Sequence, residues 1–474
     1  MLQEHLHPIH IRPLNGVTTV AKKPQLNYEN YVKGKYQRQT ENYIKQNFGF
    51  RPNLVRFYNQ YLWDFYKKTY NTGSVSIGKE GWLYEPWFVE DHYHGLSYDY
   101  NKDSTKLAQR FNDESFRLIQ LQNILKKYGT TLLVCQLPGK DLIYPEYLPD
   151  DTVTTRPKVI SARDYYDQKF DELGINHINV ENWFLTMKDT ADFNLFPQKG
   201  THWSNLAALY VADSIFSYIE QANGIHMNHI CIGSPYIDKV RDPDDDLEGM
   251  LNLARPMRKL PQQYADYSIL RDPNNKKPKV ITIGDSFYWN ICRQLPMEQF
   301  FASNPYWYYN NTIYFDPIHD NVKELDLVKT LMDADVVLLM YCSTQLYKMS
   351  NNFSLQAVNQ FLYSQEEKDA VKEGVVHDIV SSKEWYASMQ KKSEEKQKPI
   401  EECIDENADY YIKTHTQKYY PALLDTIPVR RSFHCRDLEQ QRSMMLLGRF
   451  AKGGLKDNPI YTPIIQLKLL TQNS

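Results

Sequence analysis

The sequence contains no run of 18 apolar residues, no CxxC pair, no internal repeat and no surplus of basic charge. The first absence excludes a transmembrane helix from the chain as written. The first 20 residues also lack the apolar centre of a signal peptide, so read as it stands the sequence predicts a soluble, untargeted protein. An anchor upstream of Met1 would be invisible to this reading. With 55 basic against 58 acidic side chains and a formal charge of -3, no field gathers phosphates, and nucleic acid is not an expected partner. Cys135, Cys231, Cys292, Cys342, Cys403 and Cys435 are scattered through a chain too long to need disulfide staples. Four of them sit in or beside apolar runs and are expected as buried free thiols. What the chain does have is length, 474 residues, and 42% hydrophobic with 14% aromatic side chains, enough for two or three domains with real cores. Its 36 tyrosines suit sugar faces, though they serve cores and surfaces equally well.

Three regions are expected. Residues 1–114 combine a long amphipathic helical region, broken near Gly49 and Pro52, with a strand-turn-strand in "VSIGKEGWLYE". Residues 115–353 alternate helical patterns with short apolar runs: "SFRLIQLQNILKKYG" before "TTLLVCQLP", Arg163–Leu173 before "INHINVEN", then "KVITIGDS", "TIYFD", and "ELDLVKTLMDA" before "DVVLLMYC". Such steps predict an α/β fold, a doubly wound parallel sheet whose strands are buried on both faces. The steps are interrupted near 223–279 by a polar, proline-bearing insertion or extended loop containing "DPDDDLEG". Its acids lack the glycine and the distant glutamate of a calcium loop, so it reads as a solvated turn. Residues 354–474 read as a helical C-terminal domain, in which "KKSEEKQK" is a solvated helix face.

Two residues draw attention as chemistry. "KVITI" runs straight into Gly284-Asp285-Ser286-Phe287 and a helical pattern, which places Ser286 between the end of a buried strand and the first turn of a helix. Free N–H groups there can hold an oxyanion. The G-x-S-x-G elbow is absent, because position 288 is tyrosine, and on the tetrapeptide alone an ordinary turn capped by Asp285 or Ser286 is the favoured reading. His202, in "GTHWSNLAALYVADSIFSYI", precedes a helix that Ser204 can cap and whose Leu206, Leu209, Tyr210, Ile215, Phe216 and Ile219 form an apolar face. It is either a base at the sheet edge or a hydrogen-bonded structural residue. His5, His7 and His10, and separately His92 and His94, have metal-like spacings but no accompanying cysteine or acidic cluster. No metal and no cofactor are expected.

The segments "GKEGWLY", "LPGKDLIYPEYLP", "THW" and "GDSF" occur in an order that resembles the AlgX/AlgJ group of SGNH-hydrolase-like proteins, over roughly Gly34 to Phe353. Members of that group O-acetylate polysaccharides in the cell envelope, and their motif order is permuted, with His before Ser. The resemblance implies Ser286 as acyl nucleophile, His202 as its general base and Lys140 as the family's lysine, although Lys140 could equally pair with Asp141 or solvent. Trp203 would line an acyl or sugar pocket, or be buried against the helix. The implied partners are a polysaccharide or acyl-sugar substrate and a membrane-bound acyl-donor protein, and the implied location is the periplasm or the membrane-associated envelope.

One position departs from the family. Its motif is Asp-x-His-Trp, and this chain has Gly200 where the aspartate belongs. In a serine protease, losing the corresponding carboxylate costs about 10⁴ in turnover. Three explanations stand: another acid such as Asp192 or Glu181 approaches, a Ser–His dyad works slowly, or the site is degenerate and the fold serves polysaccharide binding or assembly. Asp285 is a poor substitute, since its side chain should point away from its neighbour's. An esterase acting on small esters is a further reading.

Overall fold

The computed structural model describes residues 11–16, 21–70, 73–95, 104–150, 161–257 and 262–415. His5, His7, His10, Cys435 and the final basic-apolar stretch lie outside them.

Helices Lys35–Asn47 and Arg51–Tyr66 are separated at Gly49, and Pro52 occupies the first turn of the second, where its missing N–H removes no helical bond. Strands β1 (Ser76–Ile77) and β2 (Leu83–Tyr84) pair antiparallel across the turn at Lys79–Gly81. The main sheet is built from β3 (Thr131–Leu137) and β4 (His177–Asn179), followed later in the chain by β9 (Val280–Gly284), β10 (Tyr306–Tyr308), β11 (Thr312–Tyr314) and β12 (Val336–Cys342). Their spatial order is β11-β10-β9-β12-β3-β4.

Five of the six run parallel, and β11 pairs antiparallel with β10. "TIYFD" is therefore not a further αβ step. The preceding Tyr306-Trp307-Tyr308, reached through the short helix Trp289–Cys292, is the parallel strand, and Thr312–Tyr314 returns from it as a hairpin edge. The sheet is mixed at that edge and parallel elsewhere.

The long strands explain why the runs are apolar throughout. In β12, Val336, Leu338, Met340 and Cys342 enter one core, with Trp203 and the buried face of helix Asn205–Asn223. Val337, Leu339 and Tyr341 enter the other, with helices Ser104–Lys126, Ala162–Leu173, Leu327–Met332 and Phe353–Leu362. In β12 a period of two with both faces covered leaves no polar position, whereas β3 carries the buried Gln136. Cys135, Cys342 and Cys403 are buried free thiols, while Cys231 and Cys292 are half-buried.

The insertion is more ordered than a loop. Strand β5 (His229–Ile232) pairs with β8 (Tyr267–Leu270), and β6 (Tyr236–Asp238) pairs with β7 (Gln262–Tyr264), both antiparallel. Between the paired strands sits a short helix, Asp246–Met250. Leu247, Leu251 and Leu253 of this segment form a small core with Val75 and Leu83, against which Trp63 packs. After the sheet, helices Gln365–Ser381, Lys383–Lys396 and Ile400–Thr414 pack around Val375, Ile379, Met389, Ile404 and Ala408. Among the described residues no helix is long and apolar enough to cross a membrane.

Candidate active site

The chain leaves β3 outward to β4 and returns to β9 on the other side of β12, so the strand order switches direction between β3 and β9. Ser286 opens a 3₁₀ turn directly after β9. Its placement is rigid for backbone reasons. A Cβ on Gly284 would come within 2.3 Å of the Met340 carbonyl oxygen, so only glycine lets β9 and β12 approach this closely. Asp285 is 1% exposed and accepts from the N–H groups of Phe287 (3.1 Å) and Cys342 (2.7 Å). It caps the turn and ties it to the end of β12, pointing away from Ser286, and burial pushes its pKa up.

His202 lies in the loop before helix Asn205–Asn223, which Ser204 caps by accepting from the Ala207 N–H. The Ser204 N–H donates to Leu195 (2.8 Å), and Trp203 is fully buried, 5.2 Å edge-on from Phe287. Trp203 is thus a packing residue, set against Phe184 and Phe287. The His202 ring meets Phe287 at 5.0 Å, again edge-on, which leaves both nitrogens free for polar partners. His202 Nε2 is 2.8 Å from Ser286 Oγ. His202 Nδ1 is 3.1 Å from Asp246 Oδ2.

That carboxylate comes from the "DPDDDLEG" segment. Asp246 Oδ1 accepts from the Thr201 N–H (2.9 Å), and the Lys199 carbonyl accepts from the Leu247 and Glu248 N–H groups (3.1 and 3.2 Å). Lys199 Nζ pairs with Glu248 (3.1 Å), both nearly buried. The histidine loop and the short helix are therefore zipped together in both directions. The segment is a structural part of the site, and the solvated-turn reading of it is corrected. Neither of the acids that the sequence suggested is there: Glu181 pairs with Arg163 (3.3 Å), its pKa raised to about 7 by burial, and Asp192 accepts through its backbone from Gln263.

Gly200 now has a physical reason. A Cβ there would lie 2.9 Å from both the Asp244 carbonyl oxygen and the Pro197 ring. The backbone that delivers Asp246 occupies the space that an aspartate at 200 would need. Lys140 holds the same loop from the other side, donating from Nζ to the carbonyls of Leu83 (2.7 Å), Gln198 (2.9 Å) and Gly200 (2.8 Å). Three acceptors match the three N–H groups of the ammonium, while full burial presses its pKa well down. The partner is thus neither Asp141 nor solvent. Glu85, half-buried on this rim, has its pKa raised by burial, against the opposing pull of His202. Asp246 carried no motif signal, only the hint that Gly200 leaves an acid to be supplied from elsewhere.

A hydroxyl, an imidazole and a carboxylate in series at the switch point of an α/β sheet is an arrangement suited to nucleophilic acyl chemistry. Residues 75–292 are matched by the family model described as "SGNH hydrolase-like domain, acetyltransferase AlgX". Over this stretch the chain is AlgX/AlgJ-like. The sequence matches no curated protein. Similar solved structures include the O-acetyltransferase domain of Pseudomonas putida AlgJ, at 15% identity and TM-score 0.39, covering 60% of this chain and 98% of that one. Pseudomonas aeruginosa AlgX is similar at 12% identity and TM-score 0.38, covering 60% and 66%. Bacillus cereus PatB1 is similar at 12% identity and TM-score 0.33, covering 56% and 95%.

Proposed function

We propose that this protein transfers acetyl groups to hydroxyls of a polysaccharide in the cell envelope, receiving them from a membrane-bound acyl-donor protein. The observation that carries the reading is the continuous hydrogen-bonded series Ser286–His202–Asp246. With Nδ1–H donating to Asp246, Nε2 is the basic nitrogen and accepts the Ser286 proton. Ser286 Oγ attacks the acetyl carbonyl carbon, its proton passing to Nε2, and the imidazolium so formed is stabilised by Asp246. The oxyanion would lie against the Ser286 N–H, since the neighbouring N–H groups of Asp285 and Phe287 already donate to Met340 and to the Asp285 side chain. Collapse expels the donor's leaving group, which takes the proton from Nε2 and leaves acetyl-Ser286. A sugar hydroxyl then attacks the ester, gives its proton to Nε2, and departs acetylated as the proton returns to Ser286 Oγ.

The envelope location and the acyl-donor partner rest on the family resemblance. The test is acetyl release from 4-nitrophenyl acetate with and without an oligosaccharide acceptor, together with mass spectrometry of the Ser286 peptide. The parent is expected to acquire one acetyl group there and to pass it to the sugar. Ser286→Ala is expected to lose at least about 10³ in turnover at unchanged Tm. Parent-like turnover by Ser286→Ala would overturn the proposal. Acetate as sole product in the presence of acceptor would make the protein an esterase.

A further inference from the structure

Behind the acid-bearing helix lies a cleft of about 600 Å³ whose walls include Arg12, Asn53, Arg56, Asp245, Glu248 and Arg255. Its wall carries three guanidiniums, of Arg12, Arg56 and Arg255, against two carboxylates, of Asp245 and Glu248. Glu248 is paired with Lys199, and Arg255 with Asp64 (2.7 Å). Arg12 and Arg56 have no carboxylate partner among the described residues. Arg56 is the unusual one. It is only 8% exposed, its Nη2 donates to the Pro13 carbonyl (2.6 Å), and its Nε is buried with no acceptor. Its bond to Pro13 sets it beside Arg12 in the same wall, and burial, with the like charge of Arg12, lowers its pKa. Two arginines without a carboxylate partner in one cleft wall, one of them with an unmet N–H, suit an oxyanion, because guanidinium N–H groups pair with its oxygens and both charges attract it.

We propose that this cleft binds an oxyanion, the carboxylate of an acidic sugar or a phosphate group, between Arg12 and Arg56. The site is separate from Ser286 and does not depend on the acetyl-transfer reading, but its wall is the Asp245–Gly249 turn, so occupancy would brace the segment that carries Asp246.

Calorimetric titration and thermal unfolding of the full chain at constant ionic strength test it, with inorganic phosphate and glucuronate as probes and chloride and glucose as controls. Saturable binding of phosphate alone identifies a phosphate site. Saturable binding of glucuronate, alone or with phosphate, identifies a carboxylate-accepting one. In either case Arg12→Gln, at an exposed position, is expected to weaken binding about tenfold or more, as is Arg56→Gln if it folds. Ser286→Ala is expected to bind as the parent does. The proposal is overturned if neither oxyanion binds saturably, or if Arg12→Gln binds with parent affinity.

Discussion

Ser286 and Asp246 approach one imidazole from opposite sides, and different kinds of structure hold them there. Ser286 follows a strand whose five residues are all buried and whose neighbours, β10 and β12, are parallel partners in the same sheet. Asp246 opens a five-residue helix inside an insertion, held by the Thr201 N–H, the Lys199 carbonyl, the Lys199–Glu248 pair and a handful of leucines. Part of its support comes from helix Arg51–Tyr66, where Asn59 donates to the Leu251 carbonyl (2.9 Å) and Asp64 pairs with Arg255. The nucleophile's position is a property of the sheet. The acid's position is a property of contacts among segments remote in sequence, so it should be breakable without touching the sheet.

The largest effect expected on the acid side is from Asp246→Asn. The amide can still accept the Thr201 N–H but cannot stabilise an imidazolium, so turnover should fall by about 10² to 10⁴ with Tm almost unchanged. Parent-like acetyl turnover would show that the series stops at His202. Next come the two glycines, as a contrast. Gly284→Ala drives a methyl into the Met340 carbonyl at 2.3 Å and should destabilise the whole domain, seen as a large drop in Tm. Gly200→Ala presses on the Asp244 backbone at 2.9 Å and should cost about 1–3 kcal/mol while lowering turnover more than its Tm shift explains. Equal patterns from the two would erase the distinction between sheet and insertion.

A smaller effect is written in pH. Asp244, buried beside Asn205 (3.2 Å), has its pKa raised from 3.8 to about 7, first by burial. Between those values the folded protein holds a proton that the unfolded chain has released, so stability falls as pH rises through the window and the loss is complete above about 7. Asp244→Asn should therefore be more stable than the parent at pH 8 and lose that advantage towards pH 4, as read by chemical denaturation. A pH-independent difference would rule the carboxyl out as the cause. The smallest expected change is Asn59→Ala, which removes the bond to Leu251 and should cost about 1 kcal/mol, with turnover falling far less than in Asp246→Asn.

Most of the architecture was legible because it is written locally. Apolar runs such as "DVVLLMYC", entered from helical patterns, could be little else than strands covered on both faces, and "GDSF" after "KVITI" located the turn that bears Ser286. Tyr306–Tyr308 escaped because four consecutive aromatics between Pro305 and Asn310 show no alternation. Lys140 was legible as a position but not as a role, since what an ammonium grips depends on which carbonyls arrive. "DPDDDLEG" misled more seriously: a dense run of acids beside a proline has the composition of a solvated turn, yet Asp244 is 1% exposed and Asp246 meets His202.

By itself, then, the sequence determined the layered sheet, the strand end that carries the serine and the helix start that carries the histidine, because side-chain periodicity and turn chemistry act over a few residues. Only the tertiary structure decided which carboxylate completes the series. That choice depends on a backbone passing close enough to Gly200 to exclude any side chain there, and close approach between segments 44 residues apart is a matter of packing that no local pattern encodes.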